Sequence, residues 1–204
     1  MSRPGTCRAG STGSEDDGPA RYTLYALAFP SAEPRALELP SVIEPLIVIT
    51  EVDDARPFFG ELFRRKFGDP IPDYPHHVGV FHRGEDARFT PLSYLHLLPH
   101  ADIMLVGGGC TDGDAIRGLP DADRDAIRSA GGLLLHALRY AFERYADRCD
   151  AYFGHCGDAR AYEVDMQAGF EPTHHDQLIV RWHKPLDPAR RRALVEKAHS
   201  IGAF

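Results

Sequence analysis

The chain has 204 residues, of which 43% are hydrophobic and 26% charged, the usage of an ordinary globular domain. Its net charge of -7 argues against nucleic acid as a partner. No apolar run approaches the ~18 residues of a membrane span, and Met1 to Ala20 lacks the apolar stretch of a secretory signal. Cys7, Cys110, Cys149 and Cys156 form no C-x-x-C pair, so reduced thiols and a cytoplasmic protein are expected.

Residues 1–20 are Gly, Ser, acid and Arg without periodicity and read as a disordered tail; 21–204 read as a single domain. Deleting residues 1–20 is expected to leave the melting temperature within a few degrees, checked by thermal denaturation. Residues 21–45 are broken by Pro30, Pro34, Pro40 and Pro45 and read as an extended arm. Leu46 to Thr50 is a β-branched strand. Asp53 or Asp54 is the expected cap of a helix whose apolar face is Phe58, Phe59, Leu62, Phe63 and Phe67. Arg64, Arg65 and Lys66 close it, as complement to the helix dipole or as a phosphate contact. Strands follow at His77–His82, Phe89–Leu98 and Ile103–Gly107. In the middle one, Leu92, Tyr94 and His96 should share one face and Ser93, Leu95 and Leu97 the other.

Gly107-Gly108-Gly109 at a strand end signals irregular backbone or close approach by another group. An acidic stretch from Thr111 to Asp125 leads to a helix start near Pro120-Asp121. Gly131-Gly132 either opens an amphipathic helix carrying Leu134, Leu138, Ala141 and Tyr145 or lies inside one long helix from Asp121. Asp150 to Cys156 is a strand. Gly157-Asp158 is a turn and cap, Gly169 a helix stop, and Gln177 to Trp182 a further strand. Asp187-Pro188 starts a C-terminal helix, 187–200, packing by Leu194, Val195 and Ala198, with its arginine run on a solvated face. The eleven histidines include the pairs His76-His77 and His174-His175, which lack the i, i+4 spacing of a helical zinc site. They read as structural or loop histidines, and no metal is expected.

Asp158, Ala161, Gly169 and Phe170, placed on one helix before two strands, resemble the N-x-x-A…G-F pattern of the GNAT acyltransferase superfamily. The resemblance spans about Leu46 to Lys184. It implies an α/β (α+β) fold, a mixed, mostly antiparallel twisted sheet with helices on both faces. It also implies acetyl-CoA or another acyl-CoA as co-substrate and direct attack by a small-molecule amine. The co-substrate would lie along Leu105, Val106 and Gly107, where two strands splay, and a bulge there would aim a backbone N–H at the acyl carbonyl. Its pyrophosphate would meet an Arg128-x-x-Gly131 loop, at Arg128, Ala130, Gly131 and Gly132, where Leu133 replaces the family's last small residue. Asp165 stands where the family often has the tyrosine that protonates the leaving thiolate. Tyr162, one turn earlier, is the alternative acid, and His155 a general base. Tyr94, His96 and Cys156 would face the substrate, Cys156 being either a nucleophile or a buried apolar thiol. Two further readings are a degenerate GNAT-like domain that binds acyl-CoA or a partner without turnover, and a metal-dependent hydrolase built on the histidines. A homodimer is left open.

Overall fold

The computed structural model describes residues 38–204. The expected tail and residues 21–37 of the expected arm lie outside the described residues. The described end of that arm is not extended: residues 41–46 turn, Ile43 N–H donates to the Pro40 carbonyl, and Ile43 is buried. The β-branched run then forms β1 (Ile47–Val52). Helix α1 (Arg56–Phe67) follows, its N-cap being Ala55 rather than Asp53 or Asp54. Asp54 nonetheless accepts a hydrogen bond from the Arg56 amide at 3.0 Å. Phe59 and Phe63 bury the apolar face of α1, while Phe67, at its last turn, is 42% exposed.

Strands β2 (His76–Arg83), β3 (Phe89–His100) and β4 (Ile103–Thr111) continue as an antiparallel meander. Val80 pairs with Ser93 and Phe81 with Pro91, so Leu92 is an extra residue in a bulge. This corrects the expected alternation. Leu92 joins the core of Leu95 and Leu97, and Tyr94 belongs to a different cluster beneath α1.

After β4 come α2 (Gly113–Arg117), α3 (Asp121–Ser129) and α4 (Leu133–Arg144). Strand β5 (Ala151–His155) leads to α5 (Ala159–Ala168), β6 (Glu171–Pro172), β7 (Leu178–Trp182) and α6 (Pro188–Ile201). The seven strands run in the order β1-β2-β3-β4-β5-β7-β6. Only the β4–β5 pair is parallel, as a connection long enough to carry three helices allows.

The sheet is covered on both faces. Helix α4 buries Leu135, Leu138 and Phe142 in a core with Leu95, Leu97, Tyr152 and Phe170. On the other face α1 covers Phe81 and Tyr94. There α6 covers Ile103, Leu105 and Phe153 through Leu194, Val195 and Ala198, the expected residues, each larger one contributing roughly 1.5–3 kcal/mol. Asp187 caps α6, accepting from the Ala189 and Arg190 amides. Its arginine run is not merely solvated. Arg190 donates to Asp102 and Asp150, Lys197 donates to Asp102 at 2.6 Å, and the Arg191 guanidinium lies 4.9 Å over the Trp182 ring. Among the described residues no helix is long and apolar enough to cross a membrane.

Candidate functional site

Strands β4 and β5 pair from Ile103–Ala151 to Val106–Gly154 and no further. Beyond that point β4 continues with β3, and β5 with β7. Backbone groups on the facing edges therefore lose their partners, and a V-shaped opening begins between the two strands. It holds a cleft of about 230 Å³ lined by Val106 to Gly109, by His155 to Asp158, by Leu134 and Leu138 of α4, and by Ala161 and Asp165 of α5. The glycine run provides the irregularity it signalled. His96 pairs with Gly107 and Tyr94 with Cys110, so β4 bulges by one residue at Gly108–Gly109, with Gly108 at φ 63°. A Cβ on Gly108 would stand 2.4 Å from the His96 ring and 2.8 Å from Phe63, and one on Gly107 2.9 Å from His96 Nε2. Only glycine lets the backbone pass so close to these rings.

On the α5 side, Asp158 caps the helix, accepting from the Arg160 and Ala161 amides at 3.0 and 2.8 Å. Ala161 and Asp165 are one turn apart and both face the cleft. Tyr162 does not line it but packs on the core under α4, which removes the alternative acid from the opening. Burial raises the Asp165 carboxyl above its ordinary range, against the lowering effect of the nearby Cys156 thiol, whose S–H donates to the Asp158 carbonyl at 3.5 Å. Burial and that carboxyl together push the Cys156 thiol up to about 12. Cys156 thus stays protonated near neutral pH, which argues against the nucleophile reading.

On the opposite face a buried chain of side chains ends at the β4 bulge. Tyr94 lies 2.7 Å from His77 Nδ1 and 3.3 Å from His96 Nδ1. The Tyr94 hydroxyl thus bridges the two rings, with donor and acceptor roles set by their tautomers, and the His96 ring packs against Gly107. Burial pushes His96 down to about 4, with the nearby His77 adding to the effect, and holds the Tyr94 hydroxyl well above its ordinary value. His155 lies across Gly107 from His96. Its ring stands edge-on to Phe204 at 5.6 Å, and the Phe204 carbonyl lies beside Gly107. Burial, then the charge of His199, lowers its pKa below 6.5.

At the other end of the cleft, Gly131-Gly132 is not inside a long helix. Ala130 caps α3, and Gly131 and Gly132 take φ of 91° and 88° before α4 begins. Their amides donate to Arg128 and Ile127 carbonyls, so they close α3 and are not free for a phosphate. The donors available here are the first-turn amides of α4, Leu133 to Leu135, which have no partner inside the helix. The buried His136 ring holds the turn at 2.8 Å from the Ala130 carbonyl. Arg128 pairs with Asp125 at 2.7 Å and is 77% exposed. Leu105 is buried under α6 rather than in the cleft, because alternate residues of β4 face opposite sides.

Lys66 lines the cleft mouth, whereas Arg65 is tied to Asp112 at 2.7 Å and Arg64 stands 3.9 Å from Glu61. The basic cluster signalled this cation but not which of its three members. The expectation that no metal binds rested on spacing along the chain; in the fold, His174 and His175 both reach Glu196 on α6.

No known family model matches the chain, and no curated protein matches it. Among solved structures it is similar to the ribosomal-protein-S18-alanine N-acetyltransferase of Escherichia coli, at 11% identity and TM-score 0.45 over 70% of this chain and 97% of the other. An acyl-CoA N-acyltransferase of Pseudomonas aeruginosa matches at 13% and 0.42 over 66% and 97%. FdhC, a nucleotide-linked sugar GNAT, matches at 10% and 0.41 over 76% and 93%. The meander β1 to β4, the parallel β4–β5 pair that opens beyond Val106, the bulge at Gly108 and the α5 helix between β5 and β7 make up the mixed, mostly antiparallel sheet with helices on both faces that the resemblance implied.

Proposed function

We propose that the protein is an acyl-CoA-dependent N-acyltransferase, transferring acetyl or another acyl group to a small-molecule amine. The single observation that carries this reading is the cleft where β4 and β5 part, bounded by a β4 bulge, the α4 N-terminus and a raised carboxyl on α5. The bulged residues Gly107 to Gly109 line that cleft, where a thioester arm would pass close to the backbone. When bound, the co-substrate supplies an acyl group activated as its thioester. The chain's own part is positioning and proton transfer. The α4 first-turn amides and Lys66 favour phosphate charge. A β4 amide freed by the divergence stabilises charge on the acyl oxygen. Asp165, protonated more readily than a free carboxyl, supplies a proton to the leaving sulfur.

The two histidines beside Gly107 have different parts: His155 lines the cleft and His96 does not. At about 4, His96 is too weak a base to hold a proton at neutral pH. The neutral ring packs against the Gly107–Gly108 backbone and braces the bulge. His155, half-buried and less strongly shifted, is closer to the range where a base is effective, so it takes the proton.

Binding tests the reading. Gly131→Asp should weaken coenzyme A more than tenfold in calorimetry, while Gly131→Ala, which carries the same left-handed strain and meets Leu135 alike, should weaken it far less. Equal affinities in the two variants would move the phosphate elsewhere. An intact protein without affinity for coenzyme A esters would overturn the reading. Binding without release of free thiol in the presence of amine mixtures would favour the degenerate binding domain.

A further inference from the structure

A second cluster lies outside the cleft. The loop between β6 and β7 carries His174 and His175, and Glu196 projects from α6. The Glu196 Oε1 oxygen is 2.8 Å from His174 Nε2 and 3.1 Å from His175 Nε2, and one ligand atom from each of the three residues falls within 4.8 Å of the others. The loop is set before any ligand arrives. Thr173 Oγ1 donates to the Leu178 carbonyl at 2.9 Å and accepts from the His175 amide at 3.1 Å. His199, one turn beyond Glu196, stacks on the His175 ring at 3.6 Å, and the His174 and His175 rings are 4.1 Å apart.

An exposed ion pair is a poor account of this arrangement. Such pairs contribute roughly 0–1 kcal/mol, too little by itself to gather two imidazole rings 4.1 Å apart on one carboxylate. A cation shared by the two imidazoles and the carboxylate would hold all three groups together. With metal–nitrogen and metal–oxygen bonds of about 2.0–2.2 Å in a tetrahedral set, ligand atoms stand roughly 3.3 Å apart, so the observed spacing needs only small side-chain adjustment. Two imidazoles and a carboxylate suit a borderline divalent transition ion and not a hard, oxygen-seeking one.

We propose that His174, His175 and Glu196 bind one divalent transition-metal ion of the zinc type. The ion clips the β6–β7 loop to α6. Beyond α6 the chain continues to Phe204, which rests against His155 and Gly107, so the clip steadies one wall of the cleft without touching a reacting group. The site does not depend on the acyltransferase reading.

The test titrates zinc chloride into metal-stripped full-length protein. One equivalent should bind, and a hundredfold excess over the dissociation constant should raise the melting temperature by roughly 5–10 °C. Glu196→Gln keeps the side-chain shape, and His174→Ala/His175→Ala removes both imidazoles. Each should lower affinity at least tenfold, while His100→Ala, at the end of β3 and outside the cluster, should not. Cobalt(II) should give the visible bands of a low-coordinate site in the wild type and lose them in both variants. Absence of saturable binding in the wild type, or unchanged affinity in Glu196→Gln and the double variant, would overturn the proposal.

Discussion

Replacing His155 with alanine should lower turnover by roughly 10²–10⁴-fold, the usual contribution of a general base, with acyl-CoA affinity unchanged. The residue ends β5, beside the opening and across Gly107 from His96. Its pH signature follows from its environment. Burial lowers its pKa below 6.5, so the active neutral form persists to lower pH than a free histidine would allow. The acidic limb of turnover should therefore lie below pH 6.5 and vanish in His155→Gln. His96→Ala should behave differently. It removes a buried ring that braces the β4 bulge, so it should lower the melting temperature and leave the acidic limb in place. A folded His155→Ala protein with full turnover would take it out of the mechanism. A melting temperature lowered in both His155 variants, with effects scattered over KM and kcat, would mark the ring as a brace for Phe204 instead.

The contrast between these histidines also marks how far the sequence could be read. Its strands and helices were legible because their signals are local: β-branched runs, the Asp158 and Asp187 caps, and the Gly169 stop all act within a few residues. The triple glycine announced the bulge for the same reason. The Leu92 bulge was not legible, since the extra residue exists only relative to β2 and leaves the apolar run of β3 unbroken. Pairings across the fold were hidden too. Nothing near Arg190 in sequence points to Asp102, and nothing near His174 points to Glu196. Tyr162 and Asp165 looked interchangeable because a spacing of three puts them on one helical face. Packing of α5 against α4 decides which one meets the cleft. That the free amides lie in the first turn of α4, one step beyond Gly131-Gly132, was hidden too, because glycines that close one helix resemble glycines that open the next.

Gly108 is the most sensitive position that the fold exposes to test. Gly108→Ala should cost roughly 1–2 kcal/mol for a side chain in left-handed backbone and roughly 1–3 kcal/mol for forcing a methyl group into a filled space. The neighbours that must yield are the His96 ring, at 2.4 Å, and Phe63, at 2.8 Å, both buried. A melting temperature lower by roughly 5–15 °C is expected. Turnover per folded molecule should fall about 10²–10³-fold, the effect of displacing one oxyanion donor, because relief of the clash must move the bulge itself. The two costs separate in a double-mutant cycle. In a His96→Ala background the steric part should shrink, since one of the two colliding rings is gone, while the backbone strain remains. The coupling between the two positions should therefore be favourable and partial. Additive effects would mean that the ring and the bulge do not constrain each other. A Gly108→Ala protein with wild-type melting temperature and turnover would remove the bulge from both the fold's energetics and the chemistry.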